Sequence, residues 1–371
     1  MRVLGIMSGT SIDSVDYVIC RFGPKKQIIF EEHWQVGFPR KLKDSLMQTA
    51  SDKATSHQVG QLHHDLGRFY AFGARRAKNV ELIGLHGQTI FHQPRQLDPA
   101  TFQIGESVYL AEALRVPVVS NFRAADLAMG GQGAPLATKF HQEVFAQKGR
   151  HIVVNNLGGI SNVTSLDWRS PKKPTVAAFD TGPANVLIDL AISEFSSGRQ
   201  TFDRDGKMAA HGTISDVLLR KCLRHPFIRK SPPKSTGREL FGEAFLHEAM
   251  ADAKRLRLSG RDIIATLTEF TALSIAENYR RHLGPMPDEV ILCGGGARNP
   301  YLFARIAVAL RQIKTDIRIS SSADHGWDSQ VIEAAAFAFL AWLFWNEQPG
   351  NISTTTGASK DCILGQLTYP P

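Results

Sequence analysis

What this sequence has little of narrows it first. Its 371 residues hold four cysteines, Cys20, Cys222, Cys293 and Cys362, far apart and in no CxxC pair. Such spacing argues against a disulfide scaffold or a thiolate metal site and fits isolated reduced thiols. Long apolar runs are also missing. The longest, Ala334 to Trp345, falls short of the roughly 20 residues a membrane helix needs and is expected to be a buried helix. Near the start only Val3 to Met7 are apolar in a row, too few for a signal-peptide core, so a cytoplasmic protein without a membrane partner is expected.

Charge is not extreme either. The formal net charge is +8, but the basic residues occur as pairs, Arg75-Arg76, Lys172-Lys173 and Arg280-Arg281, with no stripe interleaved with aromatics. Nucleic acid is therefore not an expected partner, and a mildly positive surface suits a small anion such as a nucleotide. Two nucleotide signatures are absent. There is no GxxxxGK[ST], and Gly294-Gly295-Gly296 lacks the GxGxxG spacing. A bound nucleotide would have to be held in another way.

Hydrophobic residues make up 43% and charged residues 21%, ordinary globular usage that excludes disorder as the main character. The length suits two or three domains. Val3-Leu4-Gly5-Ile6-Met7, a Ser8-Gly9-Thr10-Ser11 turn and Val15 to Cys20 read as strand, turn, strand. The pattern starts again with His151 to Asn156, the turn Leu157-Gly158-Gly159-Ile160-Ser161, and Asn162 to Leu166. Helical patterns follow both, including Arg261 to Leu283 and Pro300 to Arg311. Such a spacing is far too wide for a solenoid repeat and indicates a duplicated α/β domain with mixed sheets. The expected domains are 1–130 with about 347–371, and 131–346, on either side of a ligand-binding cleft. The segment 224–238, with three prolines and several charges, is expected to be a surface loop.

Four glycine turns follow apolar strands: Ser8-Gly9-Thr10-Ser11, Gly158-Gly159-Ile160-Ser161, Thr181-Gly182-Pro183 and Gly294-Gly295-Gly296-Ala297. Glycine lets several backbone N–H groups converge on one anion, and four such turns favour a polyphosphate. Phosphoryl transfer also needs a cation on the phosphates and a base near the acceptor. Asp13 and Asp16, beside the first turn, are either chemical groups or turn stabilisers. Asp180 ends a strand directly before a turn and is read as the base, with a helix N-cap as the alternative. Asp203 and Asp205 most simply make a turn. His86-Gly87-Gln88-Thr89 and Asn121-Phe122-Arg123 also follow strands, where binding groups collect. The Arg123 guanidinium has the shape for a carboxylate. Glu333 heads an apolar helix, as a dipole partner or a ligand contact.

The segments Gly5 to Asp13, His86 to Thr89, Gly130 to Leu136, Asn156 to Asn162, Phe179 to Asn185 and Cys293 to Pro300 together resemble anhydro-N-acetylmuramic acid kinases, in the same order along the chain. The resemblance implies two duplicated actin-like, ribonuclease H-like ATPase domains and a cytoplasmic homodimer acting in peptidoglycan recycling. It implies ATP and Mg²⁺, and the reaction of 1,6-anhydro-N-acetylmuramic acid, ATP and water to N-acetylmuramic acid 6-phosphate and ADP. On this basis Asp180 activates the water. ATP contacts are expected from Gly9, Thr10, Ser11, Ile12, Asp13, Ser14, Val15, Asp16, Gly158, Gly159, Asn162, Gly182, Gly294, Gly295, Gly296 and Asn299. Sugar contacts are expected from His86, Gln88, Asn121, Arg123 and Glu333. The metal ligand is left open between Asp13, Asp16 and water. The sequence departs from the family's pattern at Ser14, where glycine is usual, and at Asn121, where many members carry aspartate. In the wider superfamily an aspartate usually stands where this chain has Met7. The alternatives are a kinase for another sugar and an actin- or Hsp70-like nucleotide switch.

Overall fold

Two runs of apolar residues open the two halves of the chain, and each becomes the central strand of its own sheet. The computed structural model describes residues 1–9, 12–24, 27–51, 53–93 and 99–371. The chain divides into two compact units, Met1–Val144 with Gln330–Pro371, and Phe145–Ser329.

In the first unit β1 (Arg2–Ser8) pairs antiparallel with β2 (Ser14–Phe22), and β2 with β3 (Ile28–Gly37). On its other side β1 runs parallel to β4 (Leu82–Leu85). The hairpin β5 (Gln88–Gln93) and β6 (Ala100–Ile104) stands apart as a separate small sheet. β7 (Val118–Ser120) continues the main sheet parallel to β4. The second unit repeats this plan. β8 (His151–Leu157), β9 (Ile160–Asp167) and β10 (Thr175–Pro183) form the antiparallel side. β11 (Glu289–Cys293) and β12 (Arg318–Ser321) extend the parallel side. β13 (Gln366–Thr368) finally pairs antiparallel with β7 in the first sheet. Counting strands within each unit's main sheet, the first five strands of both read 3-2-1-4-5, and β13 adds a sixth at the edge of the first sheet. The shared order of five strands is the duplication expected from the sequence, and the fold is of the mixed α/β class.

Helix ends follow local chemistry. Thr55 and Gln58 form a capping box ahead of the helix Ser56–Ala74, and Ser259 and Asp262 do the same for Gly260–His282. The latter ends in Arg280, Arg281 and His282, cations that favour a helix C-terminus.

The division of the chain differs from the expected boundaries. The helix Ile332–Trp345 and residues 131–144 belong to the first unit rather than the second. Two glycines explain the helix. Gly5 and Gly84 are paired across β1 and β4, and a Cβ on them would stand 1.9 Å from Ala334 O and 2.2 Å from Phe337 O. The bare backbone lets this apolar helix lie directly on the sheet. Residues 131–144 are tied down by Gln132 N–H donating to Thr356 O (2.9 Å) and Gly133 N–H to the buried Asp126 Oδ2 (2.7 Å). The segment expected as a loop at 224–238 contains a short helix, Pro226–Arg229.

Candidate functional site

The parallel strands bring most candidate residues to one edge of each sheet, the edge at their carboxyl ends, where α/β sheets bind ligands. In the first unit Gly9 follows β1, His86 follows β4, and Asn121 follows β7. In the second unit Gly158 follows β8, Gly294 follows β11, and Asp180 and Gly182 lie in the last turn of sequence in β10.

The first turn holds an unusual conformation. Thr10 and Ser11 lie outside the described residues. Ile12 is left-handed at φ 55°, which costs a residue with a Cβ roughly 1–2 kcal/mol. Its side chain is only 6% exposed, and burying an isoleucine contributes about 1.5–3 kcal/mol, so packing outweighs the strain. Ser14, where the family usually has glycine, already belongs to β2 and has no positive φ. The departure at Ser14 therefore does not strain the turn. Val15 is fully buried in the core.

The acids near this turn have partners. Asp16 Oδ1 accepts from Gln35 Nε2 at 2.7 Å and meets His33 Nε2 at 2.8 Å. Asp13 is mostly exposed and pairs with Lys43 Nζ at 2.7 Å. Among the described residues no three His, Cys, Asp or Glu side chains gather to hold a metal ion. Magnesium commonly keeps several waters and takes one or two carboxylates plus phosphate oxygens. The donor set fits at most that single-carboxylate mode, at Asp16.

The expected sugar residues of the first unit are partly assembled. Arg123 Nη2 donates to His86 Nε2 at 3.0 Å, and Nη1 donates to Gly133 O at 2.6 Å. Because a guanidinium only donates, Nε2 of His86 is the bare nitrogen and the ring is neutral. Burial, and then the Arg123 charge, hold the His86 pKa well below its ordinary value. Burial also lowers Arg123 to about 10, against the opposing charges of Glu333 and Asp126, so it stays cationic at neutral pH. The His86 ring packs on Phe337, with centroids 4.4 Å apart. Gln88 Nε2 donates to Gly9 O at 3.3 Å, linking this group to the first turn. Gln88 Oε1 and Arg123 Nε are buried and have no hydrogen-bond partner among the described residues, a state that suits a polar ligand. Asn121 does not join them. It sits at φ 54°, and its Nδ2 donates to Gln366 Oε1 at 3.1 Å, tying β7 to β13. Glu333 lies exposed in the first turn of its helix, close enough for its charge to act on Arg123.

In the second unit the glycine turns share neighbours. Asn185 Nδ2 donates to Leu157 O (3.0 Å) and Gly158 O (2.8 Å). A Cβ on Gly296 would be 2.8 Å from the Leu157 Cβ and 2.9 Å from Asn185 Nδ2, and one on Gly294 (φ 78°) 2.3 Å from Asn156 Oδ1. Gly295, by contrast, faces open space. Gly158, Gly159, Gly294 and Gly296 thus form one cradle of bare backbone. Asn299 is placed differently: its Oδ1 caps the helix Pro300–Arg311 through Tyr301 N (3.1 Å) and Leu302 N (3.0 Å). Asp203 is also a cap, accepting from Met208 N and Ala209 N.

Asp180 is not a helix cap. It lies within β10, opposite Asn162 of β9, where the register slips by one residue between Asp180 and Gly182. The next helix, Val186–Phe195, starts only after Asn185. A bulge of this kind re-aims a side chain, and this one is fixed from behind. Thr181 O accepts from Ser274 Oγ (2.6 Å) and Asn278 Nδ2 (2.9 Å) of the long helix, both fully buried. Gly182, at φ 134°, would place a Cβ 2.4 Å from Ser274 Oγ. From in front, Thr236 N–H donates to Asp180 Oδ2 at 2.7 Å. Sequence reasoning missed Asn185, Lys234 and Thr236. The dense run Ser231-Pro232-Pro233-Lys234-Ser235-Thr236-Gly237 was the available signal.

Comparison with known proteins is consistent along the whole chain. A family model described as anhydro-N-acetylmuramic acid kinase matches residues 1–370. A protein of that name from Picosynechococcus sp. is 41% identical, covering 100% of both chains. Its counterpart in Microcystis aeruginosa is 38% identical, covering 99% of this chain and 100% of the relative. Among solved structures, the activator of 2-hydroxyisocaproyl-CoA dehydratase from Clostridium difficile with bound ADPNP aligns at a TM-score of 0.44 and 12% identity, covering 92% and 94% of the two chains.

Proposed function

The chain belongs to the anhydro-N-acetylmuramic acid kinase family, and on that premise we propose how its own residues carry out the reaction. It is an ATP-dependent kinase that opens the 1,6-anhydro bridge of 1,6-anhydro-N-acetylmuramic acid with water and phosphorylates O6. The products are N-acetylmuramic acid 6-phosphate and ADP, a step of peptidoglycan recycling.

The acceptor dictates the chemistry. O6 is held in the bridge and carries no hydrogen, so a base has no proton to take from it. The base acts on a water instead. Asp180 accepts the proton as the water oxygen bonds to C1, the C1–O6 bond breaks, and its electron pair stays on O6. O6 then takes the γ-phosphoryl group as ADP leaves. The first part is an inverting glycosidase step and the second an in-line phosphoryl transfer. The observation that carries this reading is the Asp180 carboxylate, re-aimed by a bulge and held at Oδ2 by the Thr236 N–H.

In the first unit, Gly9 to Asp16 are read as phosphate contacts, and His86, Gln88, Arg123 and Glu333 as sugar contacts. Asn121 acts at most through Gln366. In the second unit, Gly158, Gly159, Asn162 and Gly182 are read as phosphate contacts and Gly294 to Gly296 as adenosine contacts, with Asn299 supporting them as a helix cap. Mg²⁺, when bound, neutralises charge on the phosphates, and Asp16 is the residue that would touch it. The same reading places the enzyme in the cytoplasm as a homodimer, and the lack of a disulfide among the four cysteines supports the reducing compartment.

Mass spectrometry of the product tests the reading. The sugar should gain one phosphoryl group together with one water. A gain of phosphoryl alone, or ADP formation without a changed sugar, would contradict it.

A further inference from the structure

Lysine is among the residues least often fully buried, yet Lys234 is 2% exposed. Its Nζ donates to Phe227 O at 3.0 Å and to Ile228 O at 3.4 Å, and stands 4.7 Å from the centre of the Phe227 ring. The acceptors it reaches are neutral carbonyls of the short helix Pro226–Arg229. A buried ammonium is costly without a charge to offset it. An apolar residue would fill such a place more cheaply, so packing alone does not account for a lysine.

Its backbone and its neighbours point to Asp180. Asp180 N–H donates to Lys234 O at 3.1 Å, and two residues on, Thr236 N–H donates to Asp180 Oδ2 at 2.7 Å. The segment 234–236 is thus laced to the Asp180 backbone at one end and to its carboxylate at the other. The Lys234 ammonium pins the first end to the helix Pro226–Arg229.

We propose that Lys234 is a positioning residue for Asp180. It fastens segment 234–236 so that the Thr236 N–H holds Oδ2, and it supplies a positive charge that favours the ionised carboxylate. This rests on the reading of Asp180 as the base. Among the described residues, three charged or titratable groups act electrostatically with the ammonium: Asp180 from β10, Lys230 from the loop after the short helix, and His282 from the end of the long helix. Burial lowers the Lys234 pKa to about 8, with Asp180 opposing the shift and Lys230 adding to it. The ammonium is therefore present at neutral pH and is lost as pH rises through about 8.

The test is steady-state ADP release by the full-length enzyme, with ATP, Mg²⁺ and the anhydro sugar, from pH 6.5 to 9.5. Wild type, Lys234→Met and Asp180→Asn are compared, with melting temperatures to confirm folding. Lys234→Met should lose at least about tenfold in kcat, the scale of one charged contact, with both KM values nearly unchanged. Wild type should show a kcat that falls through about pH 8, and the variant should lack that limb. A structural role alone would leave the pH profile of the folded variant unaltered. Wild-type kcat in Lys234→Met, with Asp180→Asn inactive, would overturn the role of Lys234 and spare that of Asp180. An active Asp180→Asn would remove the base itself and this proposal with it. If Lys234→Met does not fold, the wild-type profile decides, and a flat kcat across the range overturns the proposal.

Discussion

The two sheets share the order of their first five strands, but they treat the same position in opposite ways. Counting pairs from the first turn in each unit, the third pair across strands two and three is Asp16 with Gln35 in the first unit and Asn162 with Asp180 in the second. An acid and an amide occupy both places, with the acid moved from strand two to strand three. In the first unit one oxygen of the acid is already engaged: His33 and Gln35 meet Asp16 Oδ1 in a stretch of the ladder with no register shift at that pair. In the second unit the ladder is broken by a bulge, and the segment 234–236 grips the carboxylate. The difference teaches that a duplicated scaffold supplies matching positions, and that a local break in the ladder with a clamp turns one of them into a candidate base.

The sharpest way to break this comparison is to neutralise the two strand-three positions in turn. Asp180→Asn should lower kcat by about 10²- to 10⁴-fold, the usual worth of a positioned base. Gln35→Ala should lower it by less than about tenfold, the scale of one hydrogen bond. Equal losses in the two variants would erase the distinction.

Next in size are the glycines. Gly182→Ala would force a Cβ to within 2.4 Å of Ser274 Oγ at φ 134°, and Gly294→Ala would place one 2.3 Å from Asn156 Oδ1 at φ 78°. Each should cost about 1–3 kcal/mol of stability, read by denaturant unfolding. They should differ in kinetics: Gly182→Ala should lower kcat by shifting the bulge, and Gly294→Ala should raise the KM for ATP.

Asn185→Leu removes two side-chain donors from Leu157 O and Gly158 O. Each lost bond is worth about 0.5–1.5 kcal/mol, or more where the carbonyl is left buried and unpaired. A moderate fall in melting temperature, with a higher KM for ATP, is expected.

The last effect is confined to stability and concerns Asp189. Burial raises its pKa to about 7, with Arg238 opposing the shift and Asp203 adding to it. The folded protein therefore holds a proton there that the unfolded chain, at the ordinary carboxylate value, has released. This group's contribution to stability falls as pH rises from about 4 to about 7. Asp189→Asn should raise the melting temperature at pH 8 and leave it nearly unchanged at pH 4.

Strands, turns and long helices were legible because their signals are local. Val3 to Met7 and His151 to Asn156 are short strand-forming runs that lead into glycine turns, and each became a central strand of its sheet. Asp180 was legible as a residue at a strand end before a turn, but its bulge was not, since a bulge depends on what packs behind it. The domain boundary was misplaced because an apolar helix does not announce which sheet it covers; the matching glycines, Gly5 and Gly84, lie far from it in sequence. Lys234 was invisible for a different reason. A lysine between prolines and small polar residues reads as surface, and only the fold shows it buried beside Asp180.

The measurement that bears most directly on the central claim is ADP release by the purified protein with ATP and Mg²⁺. It should be run with 1,6-anhydro-N-acetylmuramic acid, glucose, N-acetylglucosamine or no sugar, for wild type and Asp180→Asn. Turnover with the anhydro sugar alone, abolished by the substitution, is the predicted result. Turnover with the other sugars or with none, or full activity in Asp180→Asn, would contradict the account.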